Sequence, residues 1–524
     1  MSTAMRTCIL GGEIARRSWL GLSRPVLTAW ALSIGAALAI YLLGGGQAWT
    51  IATALALLAV VFATTMEWRD KPSLAARRAH DLRNWSRTRR GEHTYRNPDD
   101  PAHGDPALDP GWAFPPPLGN TAPLAVAGTG LDDMFIVRTA NPGERPYYSV
   151  TVAVDGIADG LRGDAAYAAM SAAFGSFLAQ MARTSSHVRG LQLLHRSVPH
   201  DMTRHTRWAH TRVKRLRDAR LLPAVESYGT LIDTLAPLAE EHRTFVVLRF
   251  PQTEAFMADT ARLARSKNAP IAGGIAQVVR DETERATRLL AMAGMGRVDV
   301  LGERRMCAVI RALLDPSFAI DRHRNATWNT CWPSYIGGRD CVAVGTDPRW
   351  WTRVGHIRPR AIEPVALGPL WLAPLLTGVD ADPGDDDIAP TPTIRTLSVR
   401  MDFVPAHRAR AATKGDVTAD QARKAKEREK GKLDDGSTEV LADASERRRQ
   451  DLMPGSGHHG VVYTASIAVT GRGPDDLDRA CLRVTEAAGE SAITEIDWCS
   501  GDHDVAMFTT LPLARGLAAT PHTR

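Results

Sequence analysis

The sequence lacks the marks of a nucleotide motor or of a common hydrolase. No loop of the form GxxxxGK[ST] is present: Gly431-Lys432 is followed by Leu433, and no strand precedes it, so it cannot cradle phosphates. Neither an HExxH zinc motif nor a GxSxG nucleophile elbow occurs. Gly128-Thr129-Gly130 and Gly294-Met295-Gly296 are fragments of dinucleotide loops without the third glycine. Cysteine is scarce as well. Six stand in 524 residues (Cys8, Cys307, Cys331, Cys341, Cys481 and Cys499), none in a CxxC pair. That argues against a disulfide framework and fits a reducing compartment. A Cys331–Cys341 pairing stays open, with buried or idle thiols the plainer reading. Neither sign of charge dominates: the net charge is +6, which suits a neighbour such as anionic lipid or nucleic acid and selects neither. The mean hydropathy of -0.19 excludes a polytopic transporter, because the apolar residues concentrate near one end.

What is present begins there. Residues 26–43 and 50–66 are uncharged and apolar, and Gly44, Gly45 and Gly46 lie between them. About 17 to 25 apolar residues span a bilayer as a helix, and in the bilayer core only a helix satisfies its own backbone. Arg16, Arg17 and Arg24 precede the first stretch, and eight cations from Arg69 to Arg90 follow the second. Positive flanks stay cytoplasmic. The expectation is a cytoplasmic segment over 1–25 and a two-pass transmembrane hairpin over 26–66, with both termini in the cytoplasm. Trp30, Trp49 and Trp68 stand where the chain would meet an interface. Segment 67–130 reads as a basic juxtamembrane stretch followed by a Pro-rich linker. Its arginine-rich part, 69–96, is either a helix on anionic lipid or a solvated flank.

Beyond the linker the pattern is α+β. A first unit is expected over 131–378, with strands at 147–155, 187–197, 244–250 and 298–301. Helices are expected at 164–183, over 201–241 with a break near Pro223, at 272–293 and at 303–314. The sheet is expected to be covered on one face, in a ferredoxin-like plan. Residues 323–371 read as an irregular insertion whose five tryptophans (Trp328, Trp332, Trp350, Trp351 and Trp371) fill a core or an interface in preference to stacking on bases. The acidic run 379–392 reads as a linker, because Thr391 stands where a calcium loop needs glutamate. A second unit is expected over 393–524. It has strands at 393–404, 460–469, 492–498 and 504–509, a helix at 474–487, and a charged helical hairpin at 416–453.

Candidate chemistry is sparse. His458-His459 suits a polar loop better than a metal site. His205 and His210 are five apart and do not share a helix face. Asp502-His503-Asp504 resembles an acid–base cluster but sits where a turn is expected. No catalytic, cofactor-binding or metal-ligating residue is assigned.

Four segments in order carry a family resemblance: SWLGLS (18–23), VRGLQLLHRSVP (188–199), GSGHHG leading into VYTASIAVTG (455–471), and VAMFTTLPLARGL (505–517). They are similar to an actinobacterial conjugative-element family. In that family a PrgI-type two-helix membrane hairpin is fused to a domain resembling the amino-terminal, non-motor part of conjugative type IV secretion ATPases. The resemblance implies a structural, non-enzymatic inner-membrane scaffold for DNA transfer. Its implied partners are the membrane, a separate conjugative secretion ATPase, other channel subunits and copies of itself. Direct nucleic-acid contact stays open. The alternatives are a type VII secretion membrane subunit, a membrane-tethered nucleic-acid-binding protein and an unrecognised enzyme.

Overall fold

The computed structural model describes residues 8, 10, 24–45, 47–65, 74–98, 111–124, 133–156, 163–200, 203–213, 219–235, 239–318, 320, 326–345, 349–380, 392–429 and 437–516. Segments 18–23, 128–130, 381–391 and 430–436, on which several expectations fall, lie outside the described residues. The chain divides into two compact units, Gly12–His93 and Met1–Gly11 with Thr94–Arg524.

The smaller unit is helical: α1 (Arg24–Leu43), α2 (Ala48–Thr65) and α3 (Leu74–Arg89). The first two fold back on each other. The Trp30 Nε1 donates to Thr65 Oγ1 at 3.1 Å, and the Trp30 ring meets Phe62 edge-on at 5.8 Å. Gly44 permits the turn, since a Cβ there would fall 2.1 Å from the Thr50 methyl group. The outer surface of the pair is apolar, with Leu32 75% and Leu43 89% exposed. Among the described residues, α2 is the one helix long and apolar enough to cross a bilayer; the apolar part of α1, Thr28–Leu43, is shorter.

The larger unit opens with β1 (Thr94–Tyr95), β2 (Thr121–Pro123) and β3 (Val137–Thr139). It continues through β4 (Tyr147–Val154), α4 (Asp164–Met181), β5 (Gly190–Pro199), a helical pair α5 (Thr203–Val213) and α6 (Leu222–Leu235), and β6 (Glu240–Pro251). Next come α7 (Glu254–Ser266), α8 (Ile271–Met292), β7 (Val298–Val300), α9 (Glu303–Leu314), β8 (Tyr335–Gly337) and β9 (Val342–Val344). The plan then recurs: β10 (Trp350–Ile357), α10 (Ala373–Thr377), β11 (Ile394–Val404), a helical pair α11 (Ala406–Glu429) and α12 (Ser437–Asp451), β12 (Gly460–Gly471), α13 (Pro474–Glu490) and β13 (Asp497–Trp498). Helix α14 (His503–Ala506) and a 3-10 turn (Met507–Thr510) follow.

The thirteen strands among the described residues join one antiparallel sheet in the order β1-β8-β9-β10-β12-β11-β5-β6-β4-β3-β2, with β7 on β4 and β13 on β10. The two runs therefore have matching strand orders, β7-β4-β6-β5 and β13-β10-β12-β11. They meet where β5 pairs with β11, from Ser197↔Arg395 to Gly190↔Asp402. Alternate residues face opposite sides. Val150, Val152, Leu248 and Phe250 point toward α4, α7 and α8, while Leu397, Ile467 and Val469 on the same face meet α13. Leu194, Phe245, Val247, Val354 and Ala468 point the other way, toward α9, Trp328, Trp332 and the chain-end residues Met507–Ala514.

Several expectations are corrected. The sheet is covered on both faces, because the strands bury apolar residues at odd and even positions alike. Helix does not run through 201–241: β6 starts at Glu240, a strand masked by its charged opening Glu-Glu-His-Arg. Helix α7, unread in the sequence, packs on α8 through Gly274, where a Cβ would lie 2.4 Å from the Thr260 carbonyl oxygen. Residues 323–371 are not irregular throughout, since β10 pairs with β12 from Trp351↔Gly471 to Ile357↔Ala465. Trp328, Trp332 and Phe508 form one aromatic cluster in the core, with Trp328 edge-on to Trp332 and Trp332 stacked on Phe508. The strand expected over 504–509 is helix α14 and the turn after it, and 492–498 supplies only β13 and an Ile493–Ile362 bridge. The end of the Pro-rich stretch belongs to the fold: Leu118 is fully buried, and the Arg515 guanidinium donates to the Pro117 and Leu118 carbonyls.

Candidate functional site: a basic cleft at the meeting of the two runs

A cleft of about 1080 Å³ opens at one end of the central strands, lined from the α9 side by Ala312 and from the α13 side by Asp476, Ala480 and Arg483. Its floor comes from the ends of five strands: Val198 of β5, Arg243 of β6, Ile394 of β11, Thr470 of β12 and Trp350 of β10. One wall is α5, which presents Arg207 and Trp208. The other is Arg472, just past β12, with Arg483 of α13. Phe318 and Ile320, beyond α9, supply apolar surface.

The electrostatics are one-sided. Arginine is the cation at four lining positions (Arg207, Arg243, Arg472 and Arg483), against two carboxylates, Glu241 and Asp476. Both carboxylates are engaged. The Arg243 guanidinium binds Glu241, which also lies 3.5 Å from His200 Nδ1, and Asp476 accepts the Arg472 backbone N–H at 2.7 Å. Arg483 donates to Thr393 Oγ1 at 3.1 Å. Trp208 is 52% exposed, stacked on His205 at 5.7 Å with the Arg212 guanidinium 5.6 Å from its ring. His205 Nε2 and the Tyr228 hydroxyl, 2.7 Å apart, tie α5 to α6.

Arg196 lies on the same face, one alternate position inward from Val198. It is 4% exposed and stands directly across from Arg243 in the β5–β6 register. Its described partner is Thr396 Oγ1 at 2.7 Å, and its Nη2 has no hydrogen bond. Burial alone pulls this guanidinium down to about 9. Like charges directly opposite on neighbouring strands destabilise a sheet, and a buried cation without an anion is costly.

The matching place in the other run is built differently. Arg400 is the seventh residue of β11, as Arg196 is of β5. Arg400 donates to Asp402 at 2.5 Å and to the carbonyls of Leu191 and Ala514 at 3.0 and 2.9 Å. The chain end lies over this region. Gln192 donates to the Thr509 and Leu511 carbonyls, Ser398 to that of Thr509, and the Tyr147 hydroxyl to that of Leu513. One guanidinium is thus covered by peptide and paired with carboxylate, and the other is buried beside the cleft with Thr396 as its described partner and no carboxylate among the described residues.

Of the candidates singled out in the sequence, His205 and Trp350 line the cleft, and the others stand elsewhere. His503 is buried, and its Nδ1 accepts the Val354 N–H at 3.2 Å; burial holds the ring neutral, down to about 4. His458 and His459 lie in the loop before β12, and burial followed by Arg183 lowers His459. Gly294 and Gly296 adopt positive φ in the turn after α8. Cys331 and Cys341 are free thiols; Cys331 lies beside Cys307, and burial raises it. Among the described residues, no three His, Cys, Asp or Glu side chains are placed to share a metal ion. The cleft escaped sequence reading because its residues come from elements spread between 198 and 483. One local signal exists: seven cations against Asp218 alone over 203–220. No family model matches this chain, and neither does any curated protein.

Proposed function

We propose that the chain is a structural, non-enzymatic inner-membrane component of a conjugative type IV-like secretion apparatus, where it docks a separate ATPase. Helices α1 and α2 would cross the membrane twice, with both termini cytoplasmic. The observation that carries this topology is a tether. Cys8, before the helical pair, exchanges backbone hydrogen bonds with Leu367 at 3.0 and 2.8 Å, and the Tyr463 hydroxyl donates to the Leu10 carbonyl at 3.0 Å. Both ends of the helical unit lead into the same folded body, which supports a reading with an even number of crossings. If α2 spans the bilayer, α1 spans it too.

The resemblance of the four segments supports the conjugative assignment. The strand orders β7-β4-β6-β5 and β13-β10-β12-β11, fourth-first-third-second with helical crossovers, support a reading as two ferredoxin-like units. Helix α6 supports docking. None of its described residues is buried, and Leu222, Tyr228, Leu231 and Leu235 are exposed. A contiguous exposed apolar row marks a contact surface. The test is a pull-down of tagged protein from membranes in mild detergent, with identification of what accompanies it. A conjugative ATPase and channel subunits are expected. A type VII core complex, or unimpaired DNA transfer after deletion of the gene, overturns the reading.

A further inference from the structure

We propose that α3 is an anionic-lipid-binding helix that lies flat on the membrane surface through the stripe Leu74, Arg78, Leu82, Trp85 and Arg89. The proposal rests on the two-pass reading only for where the lipid surface lies.

Three observations carry it. The first is a helix packed inside out. At about 100° per residue, these five positions fall within one arc of about 80°. All five are exposed, Leu82 at 65% and Trp85 at 54%. The packed side lies opposite and is polar: Arg87 is buried, and His80 and Asn84 are partly buried. Asn84 Nδ2 and His80 Nε2 stand 3.0 Å apart, and the Arg87 guanidinium lies 3.9 Å from Glu92. A helix that meets only water and its own fold turns its apolar side chains inward. Leu74, Leu82 and Trp85 are the large apolar side chains of α3, and all three point outward.

The second is charge. Helix α3 holds five arginines against one carboxylate, Asp81, which borders the stripe. Arg78 and Arg89 stand among the apolar residues of the stripe itself. That mixture suits a headgroup layer, where stems and rings enter the acyl boundary and guanidinium groups reach phosphate and carboxylate. The Arg89 guanidinium lies 4.0 Å from the centre of the Trp85 ring, which holds cation and ring at one depth. Nucleic acid would engage the arginines and leave Leu74 and Leu82 in water.

The third is place. Helix α3 follows α2 after residues 66–73 and touches it within one compact unit. Leu55, Val60 and Phe62 of α2 are exposed as well. Apolar surface on α2 thus gives way along the chain to mixed apolar and cationic surface on α3. A bilayer presents hydrocarbon and then headgroups in the same order.

The experiment is hydrogen–deuterium exchange with mass spectrometry on the full chain in three settings. These are uncharged detergent micelles, phosphatidylcholine vesicles, and vesicles of phosphatidylcholine and phosphatidylserine at about 7:3. Peptides covering 74–89 are expected to exchange at least about fivefold more slowly with phosphatidylserine than without it, and to lose most of that protection in high salt. Arg78→Gln with Arg89→Gln is expected to remove the protection while exchange over the strands stays unchanged. Leu82→Ser with Trp85→Ser is expected to weaken it. Equal exchange in the two kinds of vesicle, or protection that the variants leave in place, overturns the proposal. Full protection already present in micelles also overturns it, because the chain itself then covers the stripe. Protection given by a twelve-nucleotide oligothymidine and not by phosphatidylserine assigns the stripe to nucleic acid and overturns it too. Flotation of the same samples keeps the two readings apart. A chain that fails to float with pure phosphatidylcholine vesicles refutes membrane crossing, whereas phosphatidylserine-dependent protection of α3 supports lipid binding with or without it.

Discussion

Arg395 and Glu240 show what a satisfied buried charge looks like in this fold. Two guanidinium–carboxylate bonds of 2.8 and 3.1 Å join them, and Arg395 also donates to the Leu375, Leu376 and Thr393 carbonyls. Breaking such a pair from one side leaves an unpaired buried cation. Glu240→Gln is expected to cost about 3 kcal/mol, read as a lower urea midpoint. Histidines set the acid limit. Burial, then His242 and Arg395, hold His195 down to about 4, and burial followed by Arg353 does the same for His503. Both rings are neutral in the folded chain and titrate near 6.5 when unfolded. Their contribution is full above about 6.5 and is lost as pH falls toward about 4. The melting temperature should fall across that window, and His503→Gln should flatten part of the fall.

At the scale of elements, legibility in the sequence followed local amphipathicity. Helix α9 was readable end to end because Met306, Ile310 and Leu314 recur on one face. The strand at 147–154 was readable from its Val and Tyr content. Strand β10 was hidden, although Trp350, Thr352 and Val354 alternate inward, because tryptophan-rich turns surround it. Helix α7 was missed because its buried positions, Phe256, Thr260 and Ala264, include only one large apolar side chain. It depends on close approach to α8, so Gly274→Val should destabilise the fold by about 2 kcal/mol or more, measured by urea denaturation. Helix α6 predicts the opposite. None of its described residues is buried, so Leu231→Glu with Leu235→Glu should shift stability by no more than about 1 kcal/mol and, on the proposed docking role, abolish copurification of the proposed partner. The cleft was illegible for a different reason: cross-strand register sets its lining residues Ile394 and Thr470 side by side, and register is set by tertiary pairing.

At the scale of the molecule, the boundary expected near 379–392 divides the sequence but not the sheet. The β5–β11 ladder ties both runs into one hydrogen-bonded surface, and the chain end bridges them from Val354 to Tyr147. Unfolding of Thr94–Arg524 should therefore be one cooperative transition, with coincident denaturation curves from a probe in each run; two separated transitions would refute this. The tether at Cys8 has a consequence for biosynthesis. Cys8 and Leu10 leave the ribosome well before their partners Leu367 and Tyr463, and the covering stretch at 509–514 follows later still. Helices α1 and α2, which pair within a short loop, can form long before either. The helical pair is thus complete while the β5–β11 ladder that joins the two runs is still unmade, so its formation cannot wait on the sheet.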